Sequence, residues 1–341
     1  MELPESLRAV ARAGAGVNNI PIDKCTDKGI VVFNTPGANA NAVKEIVLGA
    51  LFLASRKVVQ GIEWEKTLIG SGDDIPSLVE KGKSAFAGPE IEGKTLGVVG
   101  LGAIGVRVAN AAHHLGMHVI GFDPYLSVDA AWHLTRFAHK ANSLDELLEK
   151  ADYITIHVPS TPSTKGMFNS EAFAKMKKGA RLLNFSRGSL VDENDVQEAI
   201  ANGTVATYVT DFGSEALLKC ENVICLPHLG ASTPESEENC AVMAANEIKD
   251  FLENGNIKNS VNFPECDMGK RTGERITILH KNVTGMIKKI TDALESLNIA
   301  NMINKSKGDN AYTMIDVDGR CDAAAIDAIA AMPDVIKVTL L

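Results

Sequence analysis

Leu96-Gly-Val-Val-Gly100-Leu-Gly102-Ala103-Ile104-Gly105 is the stretch on which the fold turns. Its first residues read as a buried strand, its glycines as a tight turn, and Val106 to Leu115 as the amphipathic helix that follows. The three glycines have separate uses: Gly100 permits the turn, Gly102 lets the backbone approach a pyrophosphate, and Gly105 brings helix and strand close together. Phosphates placed there meet unpaired amides and the positive end of the helix dipole, with no need of a lysine. Beyond the helix, Val119 to Phe122 reads as a second strand ending in Asp123, twenty-one residues past Gly102. A carboxylate at that position accepts hydrogen bonds from an adenosine ribose and repels a 2′-phosphate, which predicts NAD rather than NADP as the cofactor.

Outward from this unit, short apolar runs alternate with helical stretches. Tyr153 to His157, Arg181 to Phe185, Val205 to Thr210 and Val223 to Leu226 read as further strands, so residues 89–231 are expected to form a doubly wound parallel sheet of Rossmann type. Upstream, Gly29 to Asn34 reads as β and Ala40 to Ser55 as a helix, while Gly70 to Gly93 is rich in Gly, Pro and Ser and reads as a loop and domain boundary. A long helix is expected from Ser232 to about Gly255, with Thr233-Pro234 at its start. From Arg275 onward the order strand, helix, strand, strand, helix, strand predicts a βαββαβ module of ferredoxin-like type over 274–341. The chain is thus α/β with more than one domain.

Composition narrows the functional classes. The net charge of -9 and scattered basic residues argue against nucleic-acid binding. No apolar run approaches the ~20 residues of a membrane span, and the first residues carry no secretory signal. The six cysteines lack C-x-x-C pairs and suit reduced thiols, so a cytoplasmic location and no metal site are expected.

Three charged residues lie at or beyond the C-terminal ends of expected strands, where ligands bind in open α/β sheets. A guanidinium at Arg187 can grip a carboxylate in two-pronged fashion. An imidazole at His228 can take or give a proton. Glu215, after Asp211-Phe-Gly-Ser, can orient that imidazole and favour its charged form.

These residues sit in blocks that resemble the D-isomer-specific 2-hydroxyacid dehydrogenases: Arg12-Ala-Gly-Ala-Gly-Val-Asn-Asn19, Asn34-Thr-Pro, the glycine turn with Asp123, Asn184-Phe-Ser-Arg-Gly, Val191-Asp-Glu193, Asp211-Phe and Pro227-His-Leu-Gly-Ala-Ser-Thr. The resemblance implies that Arg187 binds substrate, that His228 donates and accepts the proton, and that Glu215 is its acidic partner. Asp211 is implied to lie near the nicotinamide carboxamide, Val158 and Pro159 beside the adenine and its ribose, and Ser186, Gly230 and Ala231 on the nicotinamide side. Gly14, Ala15, Gly16 and Val17 are similar to the loop whose amides hold the substrate carboxylate, Ala15 also touching the cofactor, with Asn18 beside it and Arg12 as a phosphate-side contact. The implied reaction is hydride transfer from C2 of 3-phospho-D-glycerate to NAD, the first step of L-serine synthesis. The alternatives are reduction of hydroxypyruvate or glyoxylate, and a chain that binds NAD and an amino acid without turnover.

Two departures accompany the resemblance. Glu215 stands four residues past Asp211, where the family places its glutamate five past the matching aspartate. Relatives also carry some tens of residues before the block at Arg12, so the flavodoxin-like substrate domain, expected over 1–88 and 232–262, is expected to be incomplete through a truncated or misassigned start. Finally, the segment over 274–341 resembles an ACT domain, a module that binds amino acids where two copies meet. That resemblance implies a dimer or larger assembly, L-serine as effector, and His280, Asn282 and Asn298 as its ligands.

Overall fold

The computed structural model describes residues 3–341. They form two compact units: the chain up to Asn39 together with Glu237–Leu341, and Ala40–Ser236. The first unit opens with two parallel strands, β1 (Ala9–Arg12) and β2 (Val31–Asn34), in the register Ala9↔Val31 to Arg12↔Asn34, connected through the helix Ile22–Asp27. β2 is apolar on both sides: Val31 and Phe33 pack on Phe251 and Phe263, and Val32 on Leu3, Cys25 and Ile30.

In the second unit β3 (Thr95–Val99), β4 (His118–Phe122), β5 (His139–Lys140), β6 (Tyr153–Ile156), β7 (Ala180–Asn184), β8 (Val205–Thr210) and β9 (Val223–Cys225) form one sheet in the order β5-β4-β3-β6-β7-β8-β9, every neighbouring pair parallel. Both faces are covered, so the strands read as near-continuous apolar runs. The strand order reverses between β3 and β6, which makes their C-terminal ends the crevice in which such sheets take ligands.

The helix Ala40–Ser55, expected to go with the N-terminal domain, instead packs Val43, Val47, Ala50 and Leu51 against this sheet's core. Its apolar stripe is broad enough to need a large partner surface. The stretch 70–93, read as loop, holds a helix at Ile75–Gly82 with Pro76 in its first turn. Ile75, Leu78 and Val79 give that helix its apolar side, and the polar residues around them hid the period. Trp64, from the helix Val58–Lys66, lies against both Gly82 and Phe86 and joins the two helical stretches.

The module at the C-terminal end of the first unit has β10 (Glu274–Lys281), β11 (Asn298–Lys307), β12 (Asn310–Asp318) and β13 (Val335–Leu340) in the antiparallel order β11-β12-β10-β13, with the helices Met286–Asp292 and Ala323–Ala330. One sheet face, with Ile276, Ile278, Ile315 and Val317, packs on Met286, Ile290 and Ile329 of those helices. The opposite face presents Leu279, Tyr312 and Met314 to Phe33, Phe251 and Phe263, so this module shares a core with the N-terminal strands of its unit. Among the described residues no helix is long and apolar enough to cross a membrane.

Candidate active site

At the sheet's switch point each glycine of the turn has its own steric reason. Gly100 has φ +89, and a Cβ there would stand 2.4 Å from the carbonyl oxygen of His157. At Gly105 a Cβ would stand 2.0 Å from the oxygen of Gly100, which is the close helix-on-strand packing read from the sequence. Around Gly102 nothing lies within 4 Å of such an atom. The open side of the turn is therefore at Gly102, where the helix Ala103–His114 begins without a side-chain cap. Its first amides need an acceptor from outside, and a pyrophosphate supplies one.

Asp123 follows β4, and its two oxygens accept from the backbone amides of Leu101 and Tyr125, each at 2.8 Å. The carboxylate thus braces the glycine turn as well as terminating the strand. A cleft of about 400 Å³ runs from Gly102 and Ala103 past Arg107 to Ser127 and His133. Val158 and Pro159 follow β6, so they too lie at the switch point. Open space at Gly102, uncapped amides and a carboxylate beyond β4 fit the adenosine and pyrophosphate of NAD.

Further along the same sheet edge come the charged residues. After β7, Ser186 Oγ donates to the Ile156 carbonyl at 2.7 Å, and Asn184 Nδ2 donates to the Arg187 carbonyl at 2.9 Å. These bonds fix the backbone under Arg187, whose guanidinium is exposed and bonds the Ser186 carbonyl. After β8, Asp211 keeps a side chain only 2% exposed, with Oδ2 3.0 Å from His228 Nδ1 and Oδ1 buried without a partner. Burial raises the Asp211 carboxyl above the ordinary carboxylate value, and the charges of His228 and Arg187 act against that rise. The imidazole of His228, after β9, is 63% exposed and leans on the Phe212 ring, centroids 5.1 Å apart at 58°. A buried anion beneath an exposed imidazole fixes which ring nitrogen carries the proton and leaves Nε2 free to exchange one.

Glu215 does not reach His228. It begins the short helix Glu215–Leu218, points to solvent and pairs with Lys219 Nζ at 2.5 Å. With one residue fewer than the family spacing, and with Ser214 serving as the helix cap, the glutamate falls in the first turn of a surface helix. The imidazole's anion is Asp211, which the sequence reading had set at the cofactor carboxamide. Phe212 was missed, although its place directly after Asp211 at a strand end was the available signal.

Within the first unit, Arg12 ends β1 and folds its guanidinium onto the Gly16 carbonyl. Gly14, at φ +136, donates to Thr35 Oγ1 at 2.7 Å, and Asn34 Nδ2 donates to the Ala15 carbonyl at 2.7 Å. The loop from Gly14 through Val17 and Asn18 is thereby tied to the end of β2. In the βαββαβ module the three effector candidates do not come together. His280 is 2% exposed inside β10, with Nε2 on Thr313 Oγ1 and Nδ1 on the Lys281 carbonyl, so neither ring nitrogen is available. Asn282 bonds the Gly308 carbonyl at the β11–β12 turn, whereas Asn298 bonds Asp318 at the far end of the same hairpin. About ten strand residues, roughly 30 Å, separate the two.

Strand, glycine turn, uncapped helix and terminal aspartate define a dinucleotide-binding protein of Rossmann type. Residues 49–230 match the description "D-isomer specific 2-hydroxyacid dehydrogenase, NAD binding domain", and the chain belongs to that family. It is 30% identical over 361 aligned positions to the putative D-3-phosphoglycerate dehydrogenase of Schizosaccharomyces pombe, covering 96% of this chain and 72% of that protein. It is 37% identical to D-3-phosphoglycerate dehydrogenase of Methanocaldococcus jannaschii over 79% of this chain, and spans 50% of that relative's length. Among solved structures, the NAD+-bound 3-phosphoglycerate dehydrogenase of Entamoeba histolytica matches with TM-score 0.60 and 30% identity, over 76% of each chain.

Proposed function

We propose that this chain oxidises a D-2-hydroxy acid with NAD, that its substrate is 3-phospho-D-glycerate, and that the product is the corresponding 2-oxo acid. The observation that carries this reading is the pair of exposed His228 and buried Asp211 at one edge of a NAD-binding sheet. NAD supplies the hydride acceptor when bound. His228 takes the hydroxyl proton at Nε2, and Asp211 stabilises the imidazolium that results. Arg187 holds the substrate carboxylate and polarises the neighbouring oxygen. Ser186, Gly230 and Ala231 bound the nicotinamide end, while Gly100, Gly102, Gly105 and Asp123 hold the pyrophosphate and ribose. In the first unit, the Gly14–Val17 amides and Arg12 contact the substrate's anionic groups; Arg12 must leave the Gly16 carbonyl to do so.

The names of the curated relatives support the phosphorylated substrate over hydroxypyruvate or glyoxylate. We further propose that the βαββαβ module is an ACT domain that pairs with a second copy and takes L-serine where the copies meet, with Asn282 of one copy and Asn298 of the other as ligands and His280 as core. Substitution of His228→Ala tests the central assignment. NADH formation from 3-phospho-D-glycerate should fall by about 10²-fold or more, with the NAD dissociation constant unchanged. Equal loss of both would remove His228 from the chemistry.

A further inference from the structure

Asn184 ends β7, and Tyr208 and Thr210 lie two apart on β8, facing one side of the sheet, with Thr210 paired to Asn184 in the register. All three are buried, and Tyr208 belongs to the apolar core that also holds Ile156 and Leu182. Every polar atom of the Asn184 side chain is engaged. Its Oδ1 accepts from the Ser186 amide at 3.2 Å, and its Nδ2 donates to the Arg187 carbonyl at 2.9 Å and to Tyr208 Oη at 3.4 Å. Thr210 Oγ1 accepts from the Phe212 amide at 3.2 Å. Burial raises the Tyr208 hydroxyl above its ordinary value, and the nearby groups of Thr210 and Asn184 act against that rise. The bonds that leave this cluster end on the backbone of Ser186, Arg187 and Phe212, just past the ends of both strands, in the turns that carry Arg187 and Asp211. A second contact joins the same turns: Phe212 packs on Gly188, where a Cβ would stand 3.1 Å from the Phe212 Cβ, and its ring leans on His228.

An apolar trio of the same shape would stabilise this core about as well, because replacing both partners of a buried hydrogen bond by apolar groups is close to neutral. What the hydroxyls and the amide add is a single arrangement, since a satisfied buried network fixes its members where apolar packing alone leaves them more freedom. That matters here because the Arg187 guanidinium and the His228 imidazole are themselves exposed, so their separation is set by the backbone beneath them and by Asp211 and Phe212. We propose that Tyr208 is a positioning residue: with Asn184 and Thr210 it holds the Arg187 turn and the Asp211 turn at one separation, so that guanidinium and imidazole meet the same substrate. This rests on the roles given above to Arg187 and His228.

Tyr208→Phe and Thr210→Val each remove one hydroxyl and keep the shape of the side chain. Both are assayed well below their unfolding midpoints with 3-phospho-D-glycerate, or with an unphosphorylated D-2-hydroxy acid if the parent prefers one. Tyr208→Phe should lower kcat/KM by about tenfold or more, since small displacements of reacting groups are costly, with the NAD dissociation constant unchanged. Thr210→Val should show a similar loss, and the double variant no more than the larger single loss, because the two hydroxyls act through one cluster. An active parent whose kcat/KM is unchanged in Tyr208→Phe overturns the proposal. So does a loss matched by an equal loss of NAD affinity, which is what a general loosening of the sheet would give, and so do losses that multiply in the double variant. A parent that oxidises none of these acids overturns the roles of Arg187 and His228 instead, and this proposal with them.

Discussion

His228 Nδ1 stands 3.0 Å from Asp211 Oδ2, while the carboxylate of Glu215 is held by Lys219 on the surface. The two acids therefore carry opposite expectations. Asp211→Asn removes the anion that favours the imidazolium and disturbs the ring's tautomer, so turnover should fall by about 10²-fold or more. Glu215→Gln breaks only an exposed pair and should leave kcat within about twofold. Steady-state rates of the two variants decide the matter: a large loss in Glu215→Gln with a small one in Asp211→Asn would restore the glutamate as the partner.

Gly100 and Gly102 differ in the same testable way. Alanine at Gly100 meets the His157 carbonyl at 2.4 Å and needs a left-handed backbone, so Gly100→Ala should destabilise the fold by about 1–3 kcal/mol. Alanine at Gly102 meets nothing in the protein, yet its methyl would occupy the approach of the pyrophosphate. Gly102→Ala should therefore keep the melting temperature within a degree or two of the parent while NAD affinity drops by about tenfold or more, on the order of 1.4 kcal/mol. Denaturant unfolding paired with NAD titration separates the two effects.

How far the sequence could be read follows from the range of the interactions involved. The dinucleotide unit was legible because its signals are local: strand, turn and helix are each set by residues within a few positions, and Asp123 closes the pattern at a fixed spacing. The βαββαβ order was legible for the same reason, with alternating apolar residues in Glu274–Lys281 and Asn310–Asp318. The partner of His228 was not, because choosing between Asp211 and Glu215 depends on where the β8–β9 connection turns, and Ser214 decided that by capping a short helix. His280 misled in another way. One residue of strand length separates a loop ligand from a core histidine, and Thr313, thirty-three residues away, supplies the bond that makes it core. The placement of Ala40–Ser55 rested on which surface its apolar face meets, a tertiary fact with no local marker.

Arg275 and Asp316 give a prediction on stability alone. Arg275 is 1% exposed, with Nε and Nη2 on the two Asp316 oxygens at 2.5 and 2.8 Å and Nη1 on the carbonyls of Asn254 and Gly269. The guanidinium thus joins β10 and β12 to the end of the helix Pro234–Asn254. Arg275→Met takes the charged partner from Asp316 and a donor from the Asn254 carbonyl, while the Gly269 carbonyl keeps its bond from Asn256 Nδ2, and should lower unfolding free energy by about 3–5 kcal/mol. Replacing both, Arg275→Met with Asp316→Leu, should recover a good part of that loss, since the half-buried Asp316 charge left without its partner is removed as well. A double variant no more stable than the single one would mean that the carbonyl contacts, not the ion pair, hold the junction.

His157 links acid stability to the cofactor turn. Its Nε2 bonds Thr155 Oγ1 at 2.9 Å, its Nδ1 is buried without a partner, and its carbonyl is the atom that excludes a side chain from Gly100. Burial lowers its pKa from 6.5 to about 3. A folded-state value below the unfolded one means that the contribution to stability is complete above pH 6.5 and is lost as the pH falls from there toward 3. At about 1.36 kcal/mol per pH unit, some 2 kcal/mol is gone by about pH 5. His157→Gln keeps a group able to bond Thr155 but cannot take the proton, so its unfolding free energy should vary less between pH 7 and pH 5 than the parent's, by about that amount. Urea unfolding at the two pH values measures the difference. An equal pH dependence in both proteins would show that the folded chain protonates the ring as readily as the unfolded chain does, so that burial at this strand end does not hold it neutral.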